Sequence, residues 1–298
     1  MSSTSIIEIN QNSIEHNINF LRNHFGKNVK ISSVVKGNAY GHGVEVIVPI
    51  IQSCEINHFS VFSSCEARCV HKVINRSNKM MIMGFIADED FEWVIENDIE
   101  FYISDLYRAE KALNISQKLK KKALIHIDIE TRMDMVRIGI MQYGFWPSKE
   151  TLIHYIHNRK EKKDPLKRAI NWKSKVMSIK IIKQGEFIGY GNNFLALSDM
   201  KIVVIPVGYS DGFSRSLSNQ GIVLINGKRV SIIGIVDMNM IIANVSKLPK
   251  VKINDEVVLV GKQGSQNLSV ASFVQLSNQV NYELLTRLPQ NIERIKTI

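Results

Sequence analysis

The segment HFSVFSSCEARCVHKVINRSNKMMIMGF, residues 58–85, contains two apolar runs separated by a longer mixed stretch. The runs HFSVFS (58–63) and MMIMGF (80–85) have the length and apolar character of buried strands. The stretch SCEARCVHKVI (64–74) between them predicts a helix. A strand, a helix and a second strand joined by short connections are typical of a parallel βα unit. The segment therefore predicts a parallel sheet covered by helices.

The same alternation continues on both sides of this segment through the first half of the chain. Further helices are predicted over 12–26, 43–52, 88–97 and 105–121, and further strands over 29–35, 101–104, 123–129 and 136–144. Six strands fit either a doubly wound sheet or a (β/α) barrel. A complete barrel has eight strands and typically ~250 residues, so a barrel in this half would lack roughly a hundred residues.

The second half of the chain has a different pattern, in which extended β-rich segments follow one another from residue 170 onward. The pair Asn226–Gly227 between VLI and KRVSII is a strong signal for a β-hairpin. We therefore predict an α/β domain over residues 1–150, a basic linker over 151–169 and a C-terminal β domain over 170–298.

The composition argues against several classes of function. The net charge is +10, but the densest basic stretch, RKEKKDPLKR (159–168), has no interleaved aromatic residues and predicts a solvated connector, not a nucleic-acid site. The three cysteines match no zinc spacing, so we expect reduced thiols in a cytoplasmic protein and no metal. The first residues have no basic region followed by a long apolar core, so we expect no signal peptide, and the sequence contains no apolar run of membrane-spanning length.

The stretch VVKGNAYGHG, residues 34–43, places Lys36 at the carboxyl end of a predicted strand. Active sites of α/β proteins are built at this end of the sheet. Burial and a nearby cation would lower the pKa of the amine and make it a nucleophile able to form a Schiff base. The structural alternative is a lysine that extends from the strand end into solvent.

The same stretch closely resembles the lysine motif of the alanine racemase family, whose members use pyridoxal 5′-phosphate. The resemblance implies that Lys36 carries the cofactor as an internal aldimine and that Tyr40 helps to hold its phosphate. The segment VRIGIMQYGFWPS resembles the family segment that completes the cofactor site. It implies that Arg137 faces the pyridine nitrogen and that the backbone of Gly139 and Ile140 cradles the phosphate.

Three later segments, QGEFIGYG, IPVGYSDGF and GIVDMNM, resemble the family's catalytic-tyrosine and substrate segments in the same order. They imply that Tyr190 is the second catalytic base and that the substrate is bound by Tyr209, Met238 and Asn239. Taken alone, each of these residues has a structural alternative, such as a core tyrosine of the β domain. Their occurrence as an ordered series favours the family.

The resemblance implies an α/β plus all-β fold, with an N-terminal (β/α) TIM-type barrel, here incomplete at six strands, and a C-terminal β domain. It also implies a cytoplasmic homodimer with shared active sites. The expected activity is an isomerase reaction, the interconversion of L-alanine and D-alanine through an external aldimine. In it Lys36 and Tyr190 transfer protons on opposite faces, and the product supplies D-alanine for the peptidoglycan of the cell wall.

The sequence departs from the family pattern in one region. Family strands and helices are absent, as though excised between Met133 and Asp134. Arg132 stands where the family has a glycine, and Asp128 where many members have a lysine. An arginine and a histidine that support the catalytic tyrosine, and a phosphate-binding serine, are also absent. Two alternatives therefore stay open: a catalytically impaired homologue that still binds the cofactor, and a racemase of another small amino acid.

Overall fold

The computed structural model describes residues 4–26, 28–103, 105–126, 135–157, 159–270 and 281–298. Within these residues the chain divides into two units. The barrel unit comprises Gln11–Arg168, and the β unit combines the described residues up to Asn10 with those of Ala169–Thr297. No helix in the described ranges combines the length and the apolar character that a membrane span requires.

The barrel unit contains six parallel strands, numbered here after β1 (Ile6–Asn10), which lies in the β unit. They are β2 (Lys30–Val34), β3 (His58–Val61), β4 (Lys79–Ile82), β5 (Glu100–Tyr102), β6 (Ile125–His126) and β7 (Met135–Ile138). The helices of this unit are α1 (Gln11–Phe25), α2 (Val44–Ser53), α3 (Ser64–His71), α4 (Phe91–Glu96), α5 (Leu106–Leu119) and α6 (Lys149–His157). Single 3₁₀ turns cover Asp88–Asp90 and Ile140–Tyr143, and a short turn covers Lys36–Tyr40.

The strand order in this sheet is β6-β5-β4-β3-β2-β7, with every neighbouring pair parallel. A doubly wound sheet would reverse direction after its first strands, whereas this order follows the chain from β2 to β6. The sheet is strongly curved, because the side chain of Arg137 on β7 reaches Tyr102 on β5. In a flat sheet these two strands would be about 19 Å apart. The predicted six parallel strands are thus confirmed and form a half-barrel.

The ends of this half-barrel are β6 and β7, and no ladder joins them within the residues that the structure describes. The junction predicted between Met133 and Asp134 lies outside those residues, as do Asp128 and Arg132. Helices cover the outside of the sheet. For example, α1 buries Ile14, Ile18 and Leu21, three of the four residues that its helical spacing places on one face.

The β unit is built on a ten-stranded sheet with the path β18-β1-β8-β16-β13-β14-β15-β12-β9, and β17 pairs with β16. Besides β1, the β unit contains the strands β8 (Ile170–Lys175), β9 (Ser178–Ile182), β10 (Phe187–Ile188), β11 (Phe194–Leu195), β12 (Met200–Ile205), β13 (Ile222–Ile225), β14 (Lys228–Ile233), β15 (Ile241–Asn244), β16 (Glu256–Gln263), β17 (Gln266–Leu268) and β18 (Glu293–Thr297), and the helix α7 (Asn281–Thr286). Among the described residues, the strands β10 and β11 pair only with each other. The predicted hairpin is confirmed. It joins β13 to β14 through Asn226 and Gly227, whose φ angles are 50° and 70°.

The first strand of the chain lies in the β unit, because β1 pairs with β8 on one side and with β18 on the other. The sequence-based boundaries 1–150, 151–169 and 170–298 assign these first residues to the barrel-like domain, so the structural division differs there. Helix α6 extends to His157, inside the segment predicted as a linker. Apart from these two differences, the boundaries 1–150, 151–169 and 170–298 stay a prediction.

Candidate active site

Lys36 begins a turn of left-handed backbone directly after β2. The φ angles at Gly37, Asn38, Ala39 and Tyr40 are 60°, 52°, 54° and 52°. This conformation costs about 1–2 kcal/mol of conformational free energy for a residue that has a side chain. Consecutive left-handed residues persist only where the surroundings hold them, and such strain is concentrated at functional sites. Lys36 itself is half-buried.

Three side chains hold this turn in place, one from α3, one from within the turn and one directly after it. The carboxylate of Glu66 in α3 accepts hydrogen bonds from the backbone N–H of Gly37 at 2.7 Å and from that of Phe62 at 2.8 Å. The side-chain oxygen of Asn38 accepts from the N–H of Val44 at 3.0 Å, where α2 begins. The buried His42 has its Nδ1 3.0 Å from the carbonyl oxygen of Ala39. The turn is therefore fixed at its start, middle and end.

Tyr40 lies directly over the backbone that follows β7. A Cβ atom built on Gly139 would be 2.6 Å from the Tyr40 hydroxyl oxygen, so only glycine leaves room for this approach. The Tyr40 ring also packs against Tyr143, with ring centroids 5.6 Å apart. Ile140, which follows Gly139, is buried and opens the 3₁₀ turn. Tyr40 and the Gly139–Ile140 backbone thus form one surface.

Gln142 fastens this 3₁₀ turn to the end of β2. Its amide donates to the carbonyl oxygen of Val34 at 2.9 Å, and its carbonyl accepts from the Ser33 hydroxyl at 2.8 Å. The hydroxyl of Tyr143 donates to the same Val34 carbonyl at 3.2 Å. Burial raises the pKa of Tyr143 well above its ordinary value, which keeps this hydroxyl protonated. The lysine-bearing strand and the Gly139 segment are therefore rigidly connected.

Arg137 is exposed, but its guanidinium has a defined partner. Its Nη1 donates to the hydroxyl of Tyr102 at 2.9 Å, and its Cζ lies 5.4 Å from the centre of the Tyr102 ring. Arg137 is opposite Ser32 in the register of β2 and β7. The five predicted residues of the barrel unit therefore lie at the carboxyl ends of two adjacent strands.

A chain of polar side chains crosses the concave side of the half-barrel. Glu100 accepts hydrogen bonds from His126 at 2.7 Å and from His58 at 3.2 Å, both through Oε2. The other ring nitrogen of His58 is 2.7 Å from the hydroxyl of Ser32, which is 2.5 Å from that of Ser60. The pKa of Glu100 is lowered to about 2, mainly by the hydrogen bond from His58. Burial raises this pKa, and the hydrogen bond from His126 lowers it further. Glu100 is therefore an anion at neutral pH.

The four predicted residues of the β unit are all exposed. Tyr190 is 76 % exposed in the 3₁₀ turn Tyr190–Asn192, and Tyr209 is 42 % exposed. The segment containing Met238 and Asn239 packs on the turn at Tyr209, since the Tyr209 N–H donates to the carbonyl oxygen of Asp237 at 3.0 Å. The Asn239 amide donates to the hydroxyl of Ser210 at 2.8 Å.

Tyr190 belongs to a segment next to this one. A Cβ atom built on Gly189 would be 3.7 Å from the Cα of Gly234. Gly234 directly follows β14 and begins the segment that leads to Met238. The β unit therefore presents the predicted tyrosine and substrate residues on neighbouring loops.

Sequence reasoning missed the residues that hold the predicted ones in place. Gln142 and Tyr143 stand inside the segment quoted for Arg137, and a glutamine among apolar residues is a signal for a buried hydrogen-bonding group. Glu66 lies in the first predicted βα unit and carries no motif. Tyr102 and Glu100 are two residues apart on β5 and so share one face, but nothing in the sequence indicates what that face contacts.

Comparisons with known proteins identify the same family in both halves of the chain. The family described as "Alanine racemase, N-terminal domain" matches residues 9–157, and "Alanine racemase, C-terminal domain" matches residues 169–296. The chain is 25% identical to "Alanine racemase 1" of Caldanaerobacter subterraneus subsp. tengcongensis over 373 residues, covering 97% of this chain and 94% of that protein. It is 38% identical to the alanine racemase of Carboxydothermus hydrogenoformans over 166 residues, covering 56% of this chain and 43% of that protein.

Solved structures show the same fold. The structure titled alanine racemase from Clostridium difficile has a TM-score of 0.89 at 22% identity, covering 100% of this chain and 96% of that one. The alanine racemase from Streptomyces lavendulae has a TM-score of 0.84 at 18% identity, covering 100% of this chain and 98% of that one.

In the alignment with the Caldanaerobacter protein, many positions of that protein have no counterpart in this chain. The alignment extends over 373 positions, whereas this chain has 298 residues, so at least 75 positions stand opposite gaps in this chain. This agrees with the expected loss of an internal segment. The place of that loss, between Met133 and Asp134, remains a prediction.

Proposed function

Because the chain belongs to the alanine racemase family, we propose that it is a pyridoxal-phosphate-dependent isomerase that interconverts L-alanine and D-alanine. The observation that carries this proposal is the left-handed turn at Lys36, which brings Tyr40 over Gly139 on the neighbouring strand end. The same proposal assigns a cytoplasmic role in supplying D-alanine for the cell wall.

The residues of the barrel unit fit the cofactor. A half-buried primary amine, a phenol hydroxyl and a side-chain-free backbone segment lie at the ends of β2 and β7. We assign Lys36 to the aldehyde, Tyr40 with the backbone of Gly139 and Ile140 to the phosphate, and Arg137 to the pyridine nitrogen. When bound, pyridoxal phosphate supplies a ring that accepts the electrons left at the substrate Cα after a proton departs.

Two residues of the chain move the proton. Lys36 takes or returns it on one face of the substrate Cα, and Tyr190 does so on the other, which inverts the configuration. The positive charge of Arg137 discourages a second positive charge on the facing nitrogen. Met238 and Asn239 bind the substrate carboxylate, and Tyr209 contacts the substrate at the entrance of the active site.

We further propose a homodimer with shared active sites, in which the β unit of one copy supplies Tyr190 to the other. The 76 % exposure of Tyr190 supports this assignment, because a catalytic base must be accessible to its substrate. The gap of at least 75 aligned positions favours a second candidate, a homologue that binds the cofactor but turns over slowly or not at all. A racemase of another small amino acid is the third candidate.

The test is racemisation by the purified full chain in the presence of pyridoxal phosphate. We expect visible absorbance of the bound cofactor, D-alanine formation from L-alanine, and a loss of about 10²–10⁴-fold in kcat for Tyr190→Phe. Tyr107→Phe, at another exposed tyrosine, serves as the matched control. Absorbance without turnover of any amino acid would support the impaired homologue, and turnover of another amino acid alone would support the third candidate. Absence of both signals in a folded protein would contradict all three.

A further inference from the structure

The orientation of Arg137 depends on a residue outside every motif described above. An arginine side chain is long and flexible, and an exposed one is normally free to adopt many rotamers. If Arg137 faces the pyridine nitrogen, as the proposed function requires, its guanidinium must be held in one position. We propose that Tyr102 is the positioning residue that holds it, an inference that rests on the proposed function.

Two contacts between Arg137 and Tyr102 support this proposal. The Tyr102 hydroxyl accepts a hydrogen bond from Nη1 at 2.9 Å, and the ring centre lies 5.4 Å from Cζ, within the range of cation–π attraction. The hydrogen bond restrains the position of Nη1, and the contact with the ring restrains the orientation of the guanidinium group. Together they restrain the side chain more than either contact would alone.

Tyr102 is itself held against the concave side of the half-barrel. Its ring packs on His126, with centroids 5.6 Å apart, and the Nε2 of His126 donates to Glu100 at 2.7 Å. Glu100 stands two residues before Tyr102 on β5 and therefore on the same face. The residue between them, Phe101, is fully buried on the opposite face and packs against Phe91 at 5.8 Å. The strand thus has a fixed register, with Tyr102 directed toward β7.

This arrangement depends on the curvature of the sheet. Four strand spacings separate β5 from β7 along the sheet, yet the two side chains are in hydrogen-bonding contact. Tyr102 therefore spans the concave side of the half-barrel. It links the edge strand β7, which carries Arg137, to an interior strand.

The experiment compares Tyr102→Phe, Arg137→Ala and the double variant with the wild type and with Tyr107→Phe. Tyr107 is a matched control because its hydroxyl also makes a hydrogen bond with a charged side chain, donating to Asp88 at 2.7 Å. Tyr102→Phe keeps the ring that packs on His126, so we expect the same thermal midpoint as for the control. Should Tyr102→Phe unfold, Tyr102→Leu, which also lacks a hydrogen-bond acceptor, replaces it.

The first measurement needs no activity. Modification of Arg137 by phenylglyoxal, followed by mass spectrometry in the cofactor-free protein, should be about three-fold faster or more in Tyr102→Phe, because the guanidinium loses its hydrogen-bonded partner. The exposed Arg76 is the internal reference. An unchanged rate at Arg137 would overturn the inference, whether or not the wild type proves to be a racemase.

The second measurement is racemisation. Tyr102→Phe should lower kcat/KM about ten-fold in the wild-type background. In the Arg137→Ala background it should have no further effect, because Tyr102 acts through Arg137. Equal losses in both backgrounds would overturn the positioning role. A wild type that neither binds cofactor nor turns over alanine would instead overturn the proposed function, and the phenylglyoxal rates would still decide whether Tyr102 holds Arg137.

Discussion

The hydroxyl oxygen of Tyr40 lies in the space that a side chain at Gly139 would need, 2.6 Å from the position of its Cβ. Two segments separated by about a hundred residues in the sequence thus meet at a contact that admits no extra atom. The ring of Tyr40 packs on Tyr143, and Tyr143 is fixed to the end of β2. The geometry of this contact therefore links the proposed phosphate site to the strand that carries Lys36.

The variant Gly139→Ala tests this contact. The added methyl group would displace the Tyr40 hydroxyl, which is the far end of a side chain and can move without unfolding the protein. We expect a loss of about ten-fold or more in affinity for pyridoxal phosphate and a change in stability of less than about 1 kcal/mol. Fluorescence titration with the cofactor measures the first and urea unfolding the second. Unchanged affinity would contradict the assignment of Tyr40 and Gly139 to the phosphate.

A second prediction concerns the strain in the left-handed turn. Ala39 is fully buried at φ 54°, a conformation that a β-branched residue tolerates poorly. Ala39→Val should lower the free energy of unfolding by about 2–4 kcal/mol. Ala39→Gly is the matched control, because glycine adopts this backbone freely and loses only one methyl group. Its free energy of unfolding should stay within about 1 kcal/mol of the wild type. Equal stability of the two variants in urea would show that the turn is not strained.

A third prediction concerns the buried amide of Gln142. Gln142→Leu removes the partner of the Ser33 hydroxyl and one of the two partners of the Val34 carbonyl. Leaving the buried Ser33 hydroxyl without this partner costs about 1–3 kcal/mol, and losing one hydrogen bond to the Val34 carbonyl costs about 0.5–1.5 kcal/mol, so we expect the free energy of unfolding to fall by about 2–4 kcal/mol. The exposed Gln184→Leu should change stability by no more than about 0.5 kcal/mol. A Gln142→Leu protein as stable as this control would show that the link between β2 and the 3₁₀ turn contributes nothing.

A fourth prediction concerns acid stability. The pKa of Glu100 is lowered from its ordinary value of 4.5 to about 2, first of all by the hydrogen bond from His58. Because the folded-state pKa is below the unfolded one, the stabilisation is fully present above pH 4.5 and is lost as the pH falls toward 2. A shift of this size corresponds to on the order of 3 kcal/mol.

The matching variant is Glu100→Gln, which keeps the shape of the side chain and cannot ionise. Its free energy of unfolding at neutral pH should be lower than that of the wild type, and its decline between pH 4.5 and 2 should be shallower. Urea unfolding at a series of pH values measures both. Parallel curves for the two proteins would show that the hydrogen bonds to Glu100 do not stabilise the anion.

The alternation of apolar runs and helical spacing was sufficient to predict the sheet. The strand expected over 29–35 is Lys30–Val34, and the helix expected over 43–52 is Val44–Ser53, which continues through Pro49. These elements follow from local pattern, because strand and helix periods differ and each has to bury one face. The strand expected over 136–144 is shorter than predicted, since it ends at Ile138 and a 3₁₀ turn follows.

The features that position the site do not follow from local pattern. Left-handed backbone at Ala39 and Tyr40 opposes the intrinsic preference of both residues, and contacts from Glu66 and α2 stabilise the turn. The contact of Arg137 with Tyr102 joins residues 35 positions apart and depends on sheet curvature. A motif can therefore indicate which residues carry the chemistry, whereas the contacts that hold them become visible only in the folded chain.

The most direct test of the central claim is the reduction of the cofactor-loaded protein with borohydride. The full chain is incubated with pyridoxal phosphate, reduced, digested and analysed by mass spectrometry, with Lys36→Arg as the control. We expect a single reduced adduct on the peptide that contains Lys36, and its absence in the control. An adduct confined to other lysines, or the same adduct pattern in both proteins, would contradict the account.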